Sequence, residues 1–288
     1  MSNVAIVGPG GVGGLLGGML TRAGHDVVYV ARPETAALLN ERGMNVHSVQ
    51  FGDFSVPAPA VEALSSPAEL CVVATKATTL SEALDRVPPS FGGVLLPLLN
   101  GVDHMETLRA RFPSARVVAG SIRVESTRVA AGRIEHTSPF SGIDVAGDGS
   151  DVVARLLGGA GFDVTVRDSE ASLLWDKLAL LAPLALITTA ARASIGTARE
   201  TRRDDMTQVV AEVAAVARAN GTQTDPAAIL SILEQIPATM KSSMLRDAEA
   251  GRPLELDAIG GSVLNAGARL GIPTPATARV VDELRPLS

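Results

Sequence analysis

The sequence predicts an α/β fold in which an N-terminal Rossmann-type dinucleotide-binding domain is followed by an all-helical domain. An apolar run at residues 4–7 leads directly into a glycine-rich turn and then into apolar residues at helical spacing. Further apolar runs typical of buried strands follow up to about residue 167, and from there onward the pattern is helical. We therefore place a dinucleotide-binding domain at residues 1–167 and a helical substrate or dimerisation domain at residues 168–288.

The glycine-rich turn is the strongest functional signal. Gly8 allows a tight turn, Gly10 lets the backbone approach a pyrophosphate, and Gly13 lets the following helix lie close to the strand. A glycine-rich turn without a ligand is the alternative, but a second strand predicted at residues 26–30 favours a nucleotide site. The predicted cofactor loop is Gly8, Pro9, Gly10, Gly11, Val12 and Gly13.

Polar residues follow three further predicted strands, at residues 26–30, 70–75 and 93–99. These residues are Arg32, Lys76 and Asn100. The carboxyl ends of parallel strands share one edge of a sheet, and ligands bind along it. Arg32 stands where an NAD site usually has an acidic residue, so it favours NADPH through a 2′-phosphate. A solvated arginine beside a turn is the alternative, and the nearby Glu34 keeps NADH open.

The remaining elements follow from the same reading. We expect residues 132–136 and 142–145 to form a hairpin-like pair added to the parallel sheet. Further strands are predicted at residues 51–57, 116–120 and 162–166, and crossover helices at residues 81–87 and 103–112. In the second half, Asp225 caps a helix that starts at Pro226. The other predicted helices span residues 170–193, 204–220, 237–251, 255–270 and 275–284.

Composition excludes several classes of function. The formal net charge is -6 and no basic run is present, so we expect no nucleic-acid partner. Cys71 is the single cysteine, which fits a reducing cytoplasm, and we interpret it as a small buried hydrophobe. The four histidines have no metal-ligand spacing, so no metal site is predicted. The apolar run at residues 178–189 is too short to cross a bilayer, and we expect neither a membrane span nor a signal peptide.

Three residues of the helical half can carry chemistry. Lys177 lies on an otherwise apolar helix, where loss of solvent can lower the pKa of a lysine, although it can also extend its amine to water. Ser243 belongs to a pair of small polar residues that otherwise fits a helix surface. Glu255 can equally be a first-turn carboxylate that stabilises a helix dipole.

Together these residues resemble the ketopantoate reductase (2-dehydropantoate 2-reductase) family over nearly the whole chain. The resemblance rests on residues 8–13, Arg32, Thr75-Lys76, Asn100-Gly101, residues 175–178 and Ser242-Ser243-Met244-Leu245 leading to Glu255. It implies a cytoplasmic enzyme that reduces a 2-oxo acid with NADPH, with 2-dehydropantoate in pantothenate biosynthesis as the leading substrate. Lys177 would bind the keto oxygen and donate its proton, and Ser243 would hold the substrate carboxylate. Asn100 would lie near nicotinamide and substrate, and Glu255 near the nicotinamide ribose.

The sequence departs from the family beside the lysine. Family members that reduce 2-dehydropantoate typically carry asparagines four and eight residues after it, where this chain has Leu181 and Ala185. Met240 and Ile195 also replace polar residues. An apolar pocket discriminates weakly for hydroxyl groups, so a more apolar 2-oxo acid is an alternative substrate. A dehydrogenase running in the oxidative direction and a non-catalytic NADPH sensor or subunit stay open, and a homodimer is a plausible assembly.

Overall fold

The computed structural model describes residues 1–287 and divides them into two compact units. One unit comprises Met1–Leu99 with His104–Leu173 and is α/β. The other comprises Asn100–Asp103 with the chain from Leu174 onward and is helical. The predicted fold class, a Rossmann-type domain followed by a helical one, is therefore confirmed.

The strands all belong to the α/β unit. In chain order they are β1 (Asn3–Val7), β2 (Asp26–Val30), β3 (Met44–Ser48), β4 (Phe54–Val56), β5 (Ala60–Val61), β6 (Leu70–Val73), β7 (Val94–Pro97), β8 (Arg116–Val117), β9 (Ala119–Arg123), β10 (Ser126–Ala130), β11 (Arg133–His136), β12 (Gly142–Ala146) and β13 (Asp163–Val166).

Six of these strands form a parallel sheet in the order β5-β2-β1-β6-β7-β8. Numbered within the sheet, this is the order 3-2-1-4-5-6 of a doubly wound dinucleotide-binding fold. Strands β6 and β7 are buried at every residue, which is why they are continuous apolar runs. Cys71 is fully buried in β6, and burial raises the pKa of its thiol to about 12, so the interpretation as a buried hydrophobe is confirmed.

The predicted pairing of residues 132–136 with 142–145 is wrong. Strand β11 lies in a four-stranded sheet of order β10-β11-β3-β4, whereas β12 lies in a three-stranded sheet of order β13-β12-β9. The physical reason is burial. Strand β12 is buried along its whole length, whereas β11 turns only one face, with Ile134 and His136, into the core.

The α/β unit also contains helices between its strands. They are α1 (Gly11–Arg22), α2 (Pro33–Arg42), α3 (Leu80–Leu84), α4 (His104–Arg111) and α5 (Ser150–Gly159), and α6 (Glu170–Ala191) begins at the end of this unit. The helical unit continues with α7 (Ile195–Thr201), α8 (Arg203–Ala219), α9 (Pro226–Gln235), α10 (Ser243–Glu249), α11 (Ser262–Leu270) and α12 (Pro275–Leu284).

Two predicted helices of the helical unit are shorter or less regular than expected. Residues 237–251 are helical only in α10, because Ser242 caps its start. Residues 255–270 contain a π-helical segment, Asp257–Gly261, before α11. The predicted cap at Asp225 is confirmed, since its carboxylate accepts a hydrogen bond from the Ala227 N–H at 3.0 Å.

Helix α6 is long and apolar enough to cross a membrane by length and composition. In the structure 72% of its apolar window is buried, and its central residues belong to the core of the helical unit. Its apolar character is thus accounted for by packing inside the protein.

His136 forms a buried polar cluster between β3 and β11. Its Nδ1 lies 2.8 Å from Ser48 Oγ, and its Nε2 lies 3.3 Å from the carbonyl oxygen of Phe140. The Ser48 hydroxyl also accepts hydrogen bonds from backbone amides, so its own proton can be donated to a neutral imidazole. Burial lowers the pKa of His136, partly offset by the Phe140 carbonyl.

We predict that His136 makes the protein less stable in mild acid. Because the pKa is lower in the folded state, the unfolded chain binds the proton first, and stability falls as pH drops below about 6.5. A His136→Asn variant removes this dependence, although it costs about 1–3 kcal/mol at pH 7.5 through lost hydrogen bonds. Urea unfolding at pH 7.5 and 5.5 tests this. The contribution of His25 to the pH dependence is the same in wild type and variant. Equal pH dependence of the stability of the two proteins would therefore contradict the prediction for His136.

Gly13 marks the contact of α1 with the end of β1. A Cβ atom at this position would lie 2.2 Å from the Gly8 carbonyl oxygen, so the backbone would have to move. We predict that Gly13→Ala lowers the free energy of unfolding by about 1–3 kcal/mol. Gly158→Ala in α5 is the matched control, because a Cβ there meets nothing within 4 Å and the change should be neutral or stabilising. Equal effects of the two substitutions on urea unfolding would refute the close contact.

Candidate active site

The glycine-rich turn follows β1, between the ends of β2 and β6. The Gly8 N–H donates to the Val30 carbonyl at 3.2 Å, and the Gly10 N–H donates to the Gly8 carbonyl at 2.8 Å. Gly8 has φ +89°, and a Cβ on it would lie 2.6 Å from the Thr75 side chain. The turn therefore requires glycine here for both conformation and space.

The start of α1 fits a pyrophosphate. The helix begins at Gly11, and its N-cap, Gly10, has no side chain to satisfy the first backbone N–H groups. A helix N-terminus of this kind carries a partial positive charge and presents its donors to an anion. Ser126 of β10 supports the turn by donating its hydroxyl proton to the Gly11 carbonyl at 2.9 Å. Sequence reasoning missed Ser126, because the residue that it contacts, Gly11, lies 115 positions earlier in the chain.

Two predicted cofactor residues follow the two strands that flank β1 in the sheet. Arg32 follows β2 and is the N-cap residue of α2. Lys76 follows β6 and precedes a short 3₁₀ turn. The guanidinium of Arg32 forms a two-point ion pair with Glu82 of α3, from Nε to Oε1 at 3.0 Å and from Nη2 to Oε2 at 2.6 Å. Sequence reasoning did not single out Glu82.

Asn100 follows β7 by three residues but belongs to the helical unit. There its side-chain amide donates to Glu255 Oε2 at 2.9 Å, so two of the predicted site residues are in direct contact. Glu255 is 7% exposed. A carboxylate this buried requires hydrogen-bonding partners to offset its lost hydration, and Asn100 supplies one.

The segment around Asn100 is fixed to the π-helical stretch. Gly101 approaches Ala258 so closely that a Cβ would lie 2.1 Å from its carbonyl oxygen. The Asp103 carboxylate accepts hydrogen bonds from Ser262 at 3.1 Å and from Asn265 at 3.3 Å. π-helical turns are frequent at functional sites because they re-aim neighbouring groups. Here the turn begins directly after Glu255 and Leu256.

Lys177 lies in the first half of α6 and is half-buried. Trp175 and Leu178 beside it are buried in the core of the helical unit. One and two turns further, Leu181 is half-buried and Ala185 is fully buried. The helix face that continues from the lysine is therefore apolar and well packed.

Ser242 precedes α10 and Ser243 begins it, and the two side chains have different surroundings. Ser242 is 3% exposed, caps α10 by accepting from the Leu245 N–H, and contacts Thr188 Oγ1 at 2.7 Å. Ser243 is the first residue of the helix and is exposed. Ser242 thus has a structural role, whereas the Ser243 hydroxyl is accessible to a ligand.

Other features of the structure lie away from these residues. A cavity of about 460 Å³ in the α/β unit is lined by Asn3 and Asp26, the first residues of β1 and β2. It is therefore at the opposite end of these strands from the glycine turn. Within residues 1–287, no group of three or more His, Cys, Asp or Glu side chains is arranged to hold a metal ion.

Comparison with known proteins matches both halves of the chain to one family. Residues 4–150 match the family described as "Ketopantoate reductase PanE/ApbA", and residues 171–288 match "Ketopantoate reductase PanE/ApbA C terminal".

Individual relatives agree with this match along their full length. The chain is 30% identical to "Uncharacterized oxidoreductase YkpB" of Bacillus subtilis, over 97% of each chain. It is 27% identical to a "2-dehydropantoate 2-reductase" of Mycobacterium tuberculosis, over 99% of this chain and 96% of the relative. A PanE/ApbA family ketopantoate reductase from Ralstonia eutropha superposes with a TM-score of 0.87 at 29% identity, over 99% and 98% of the two chains. The chain therefore belongs to the ketopantoate reductase family, whose members are NADPH-dependent oxidoreductases that reduce a 2-oxo acid to a 2-hydroxy acid.

Proposed function

We propose that this protein reduces a 2-oxo acid to a 2-hydroxy acid with NADPH, and that 2-dehydropantoate, reduced to pantoate in pantothenate biosynthesis, is the leading candidate substrate. The observation that supports this best is the buried Glu255 carboxylate held by Asn100 in the helical unit. A carboxylate is costly to bury unless partners satisfy it, and both residues of this pair are ones that the family resemblance assigns to the site. We further propose that the enzyme works in the cytoplasm and that it forms a homodimer.

The α/β unit would hold the cofactor. NADPH, when bound, supplies the hydride that reduces the keto carbon. Residues 8–13 would cradle the pyrophosphate with backbone N–H groups, since glycine leaves room for close approach and the helix start is uncapped. Arg32 and Lys76 would bind the 2′-phosphate and line the adenosine end of the groove.

The helical unit would supply the acid and the substrate contacts. As the keto carbon is reduced, negative charge grows on the keto oxygen, and the Lys177 ammonium stabilises it and transfers one proton to give the hydroxyl. The Ser243 hydroxyl would donate to the substrate carboxylate. The hydrogen bond from Asn100 holds the Glu255 carboxylate in place for the nicotinamide ribose.

A more apolar 2-oxo acid is the second candidate substrate, and one observation favours it. Ala185 is fully buried and Leu181 is half-buried, so this face of α6 offers no amide to a substrate hydroxyl. Ile195 is also fully buried, and its N–H donates to the Met240 carbonyl at 2.9 Å, so two further apolar side chains are neighbours. A site that hydrogen-bonds a hydroxyl can reject its analogue by about 10⁴-fold, whereas an apolar site cannot.

We predict that wild-type protein oxidises NADPH with a 2-oxo acid and that Lys177→Ala lowers kcat by about 10²- to 10⁴-fold. Its affinity for NADPH should be nearly unchanged, because the lysine acts on the substrate. Absorbance of NADPH follows turnover with 2-dehydropantoate and a panel of apolar 2-oxo acids, and fluorescence titration follows cofactor binding. Arg203→Ala is the matched control, since it removes an exposed cation from the same unit.

Turnover with this panel of 2-oxo acids distinguishes the alternative functions. Fast turnover of 2-dehydropantoate would mean that other groups replace the missing asparagines. Turnover of apolar acids alone would retain the chemistry and reassign the substrate. Tight NADPH binding without turnover of any acid would refute the reductase and favour a non-catalytic sensor or subunit.

Arg32→Ala should weaken NADPH binding by about 10- to 100-fold, the scale of losing charged hydrogen bonds. NADH binding should change little, because NADH lacks the 2′-phosphate. Equilibrium titration with both cofactors measures the difference, and Arg42→Ala at the end of α2 is an exposed control. Equal loss of affinity for the two cofactors would remove Arg32 from the 2′-phosphate site.

A further inference from the structure

The cation proposed for the 2′-phosphate is already bound by a carboxylate. The Nε and Nη2 atoms of Arg32 both point to Glu82, which uses both of its carboxylate oxygens. This fork-to-fork geometry is the one that arginine also uses for phosphate. Glu82 therefore occupies one complete binding edge of the guanidinium.

Glu82 is itself held in position by a second arginine. Arg86, four residues later in the turn that follows α3, donates from Nη2 to Glu82 Oε1 at 3.3 Å. The other terminal nitrogen of Arg86 donates to the backbone carbonyls of Ala31 at 3.3 Å and Glu62 at 3.0 Å. Arg86 is thus anchored beside the end of β2, and it keeps the Glu82 carboxylate next to Arg32.

The carboxylate is ionised at neutral pH. Hydrogen bonds from Arg32 first and then from Arg86 hold the pKa of Glu82 below its usual range. Both Arg32 and Glu82 are exposed, with 60% and 50% of their side chains accessible, so an incoming ligand can reach the pair.

We propose that Glu82 sets the balance between NADPH and NADH by competing with the 2′-phosphate for the guanidinium of Arg32. This inference rests on the cofactor role proposed above for Arg32.

The two cofactors meet this pair with opposite consequences. A 2′-phosphate must displace Glu82 from the Nε/Nη2 edge or bind the remaining edge beside a second anion, which it repels. A 2′-hydroxyl can donate a hydrogen bond to the same carboxylate, as acidic residues do in NAD sites. Glu82 therefore weakens NADPH binding and is neutral or favourable for NADH. Arg32 by itself predicts a preference for NADPH over NADH, whereas Arg32 paired with Glu82 predicts that this preference is smaller.

The test is equilibrium binding of NADP⁺ and NAD⁺ to Glu82→Gln, measured by titration calorimetry in low-salt buffer. Glutamine keeps the shape of the side chain but removes the charge. We expect NADP⁺ to bind about two- to fivefold more tightly, the scale of an exposed ion pair, and NAD⁺ to bind equally or more weakly. The NADP⁺ gain should shrink in 0.5 M salt, because the charges are exposed. Asp85→Asn is the matched control, since Asp85 pairs with Arg111 rather than with Arg32.

An Arg32→Ala background shows whether the competition runs through the guanidinium. There, Glu82→Gln should no longer alter the ratio of NADP⁺ to NAD⁺ affinity. An unchanged ratio in the single variant, or the same gain with and without Arg32, would overturn the inference.

Binding and turnover separate this inference from the proposed function. Nucleotide binding without reduction of any 2-oxo acid would refute only the proposed reaction, and the effect of Glu82→Gln would still be measured. Failure of wild-type protein to bind either nucleotide would overturn both.

Discussion

The α/β unit depends on how closely helix α1 can approach the strands around it. Gly13 touches the turn at the end of β1, and a Cβ on Gly17 would lie 2.5 Å from the hydroxyl oxygen of Tyr29 in β2. On another face, a Cβ at Gly14 would lie 2.5 Å from Ile134 of β11. At these glycines the helix therefore packs directly against strands of the six-stranded and four-stranded sheets, with no side chain of its own between them. The same close approach places its uncapped N-terminus over the turn, so the packing of the helix also positions its first backbone N–H groups there.

The helical unit depends on a few buried hydrogen bonds in an apolar core. Thr188 of α6 donates to the Leu184 carbonyl at 2.7 Å, so the Ser242 hydroxyl is the donor in its contact with Thr188. The lone pairs of Ser242 remain to cap α10. This places α10, and Ser243 at its first turn, against the helix that carries Lys177. Low dielectric strengthens such hydrogen bonds and makes their loss expensive, which fixes the positions of the polar groups.

The elements that are marked by a local sequence pattern could be predicted from the sequence. The strand at residues 26–30 has the predicted bounds, because apolar residues and turn signals mark both of its ends. The strand pairing of β11 could not be predicted in this way. It pairs with β3, about 90 residues earlier, and no local pattern encodes that choice. Helix α5 was also missed, since its start follows a glycine rather than a capping side chain.

The site shows the same division between local and distant information. Arg32 and Asn100 could be singled out because each follows a recognisable strand. Their partners, Glu82 and Glu255, lie 50 and 155 residues further along the chain. Sequence reasoning named Glu255 as a possible chemical group but gave it a role in the site only through the family resemblance, and it had no signal for Glu82. Since a charged side chain acts through its partners, the sequence could single out Arg32 as a candidate cofactor residue but could not show that a carboxylate is already paired with it.

In the proposed enzyme, the residues assigned to the chemistry and those assigned to substrate preference occupy different kinds of positions, so the two properties could change separately. Asn100, Ser243 and Glu255 lie at the ends of elements, where backbone turns and caps hold them. Leu181 and Ala185 lie in the middle of α6, where a side chain is chosen by packing. A substitution from asparagine to alanine in that helix interior favours helix formation and removes a buried amide. Such changes favour the packing of the core, and they leave Lys177, one and two turns earlier, in place.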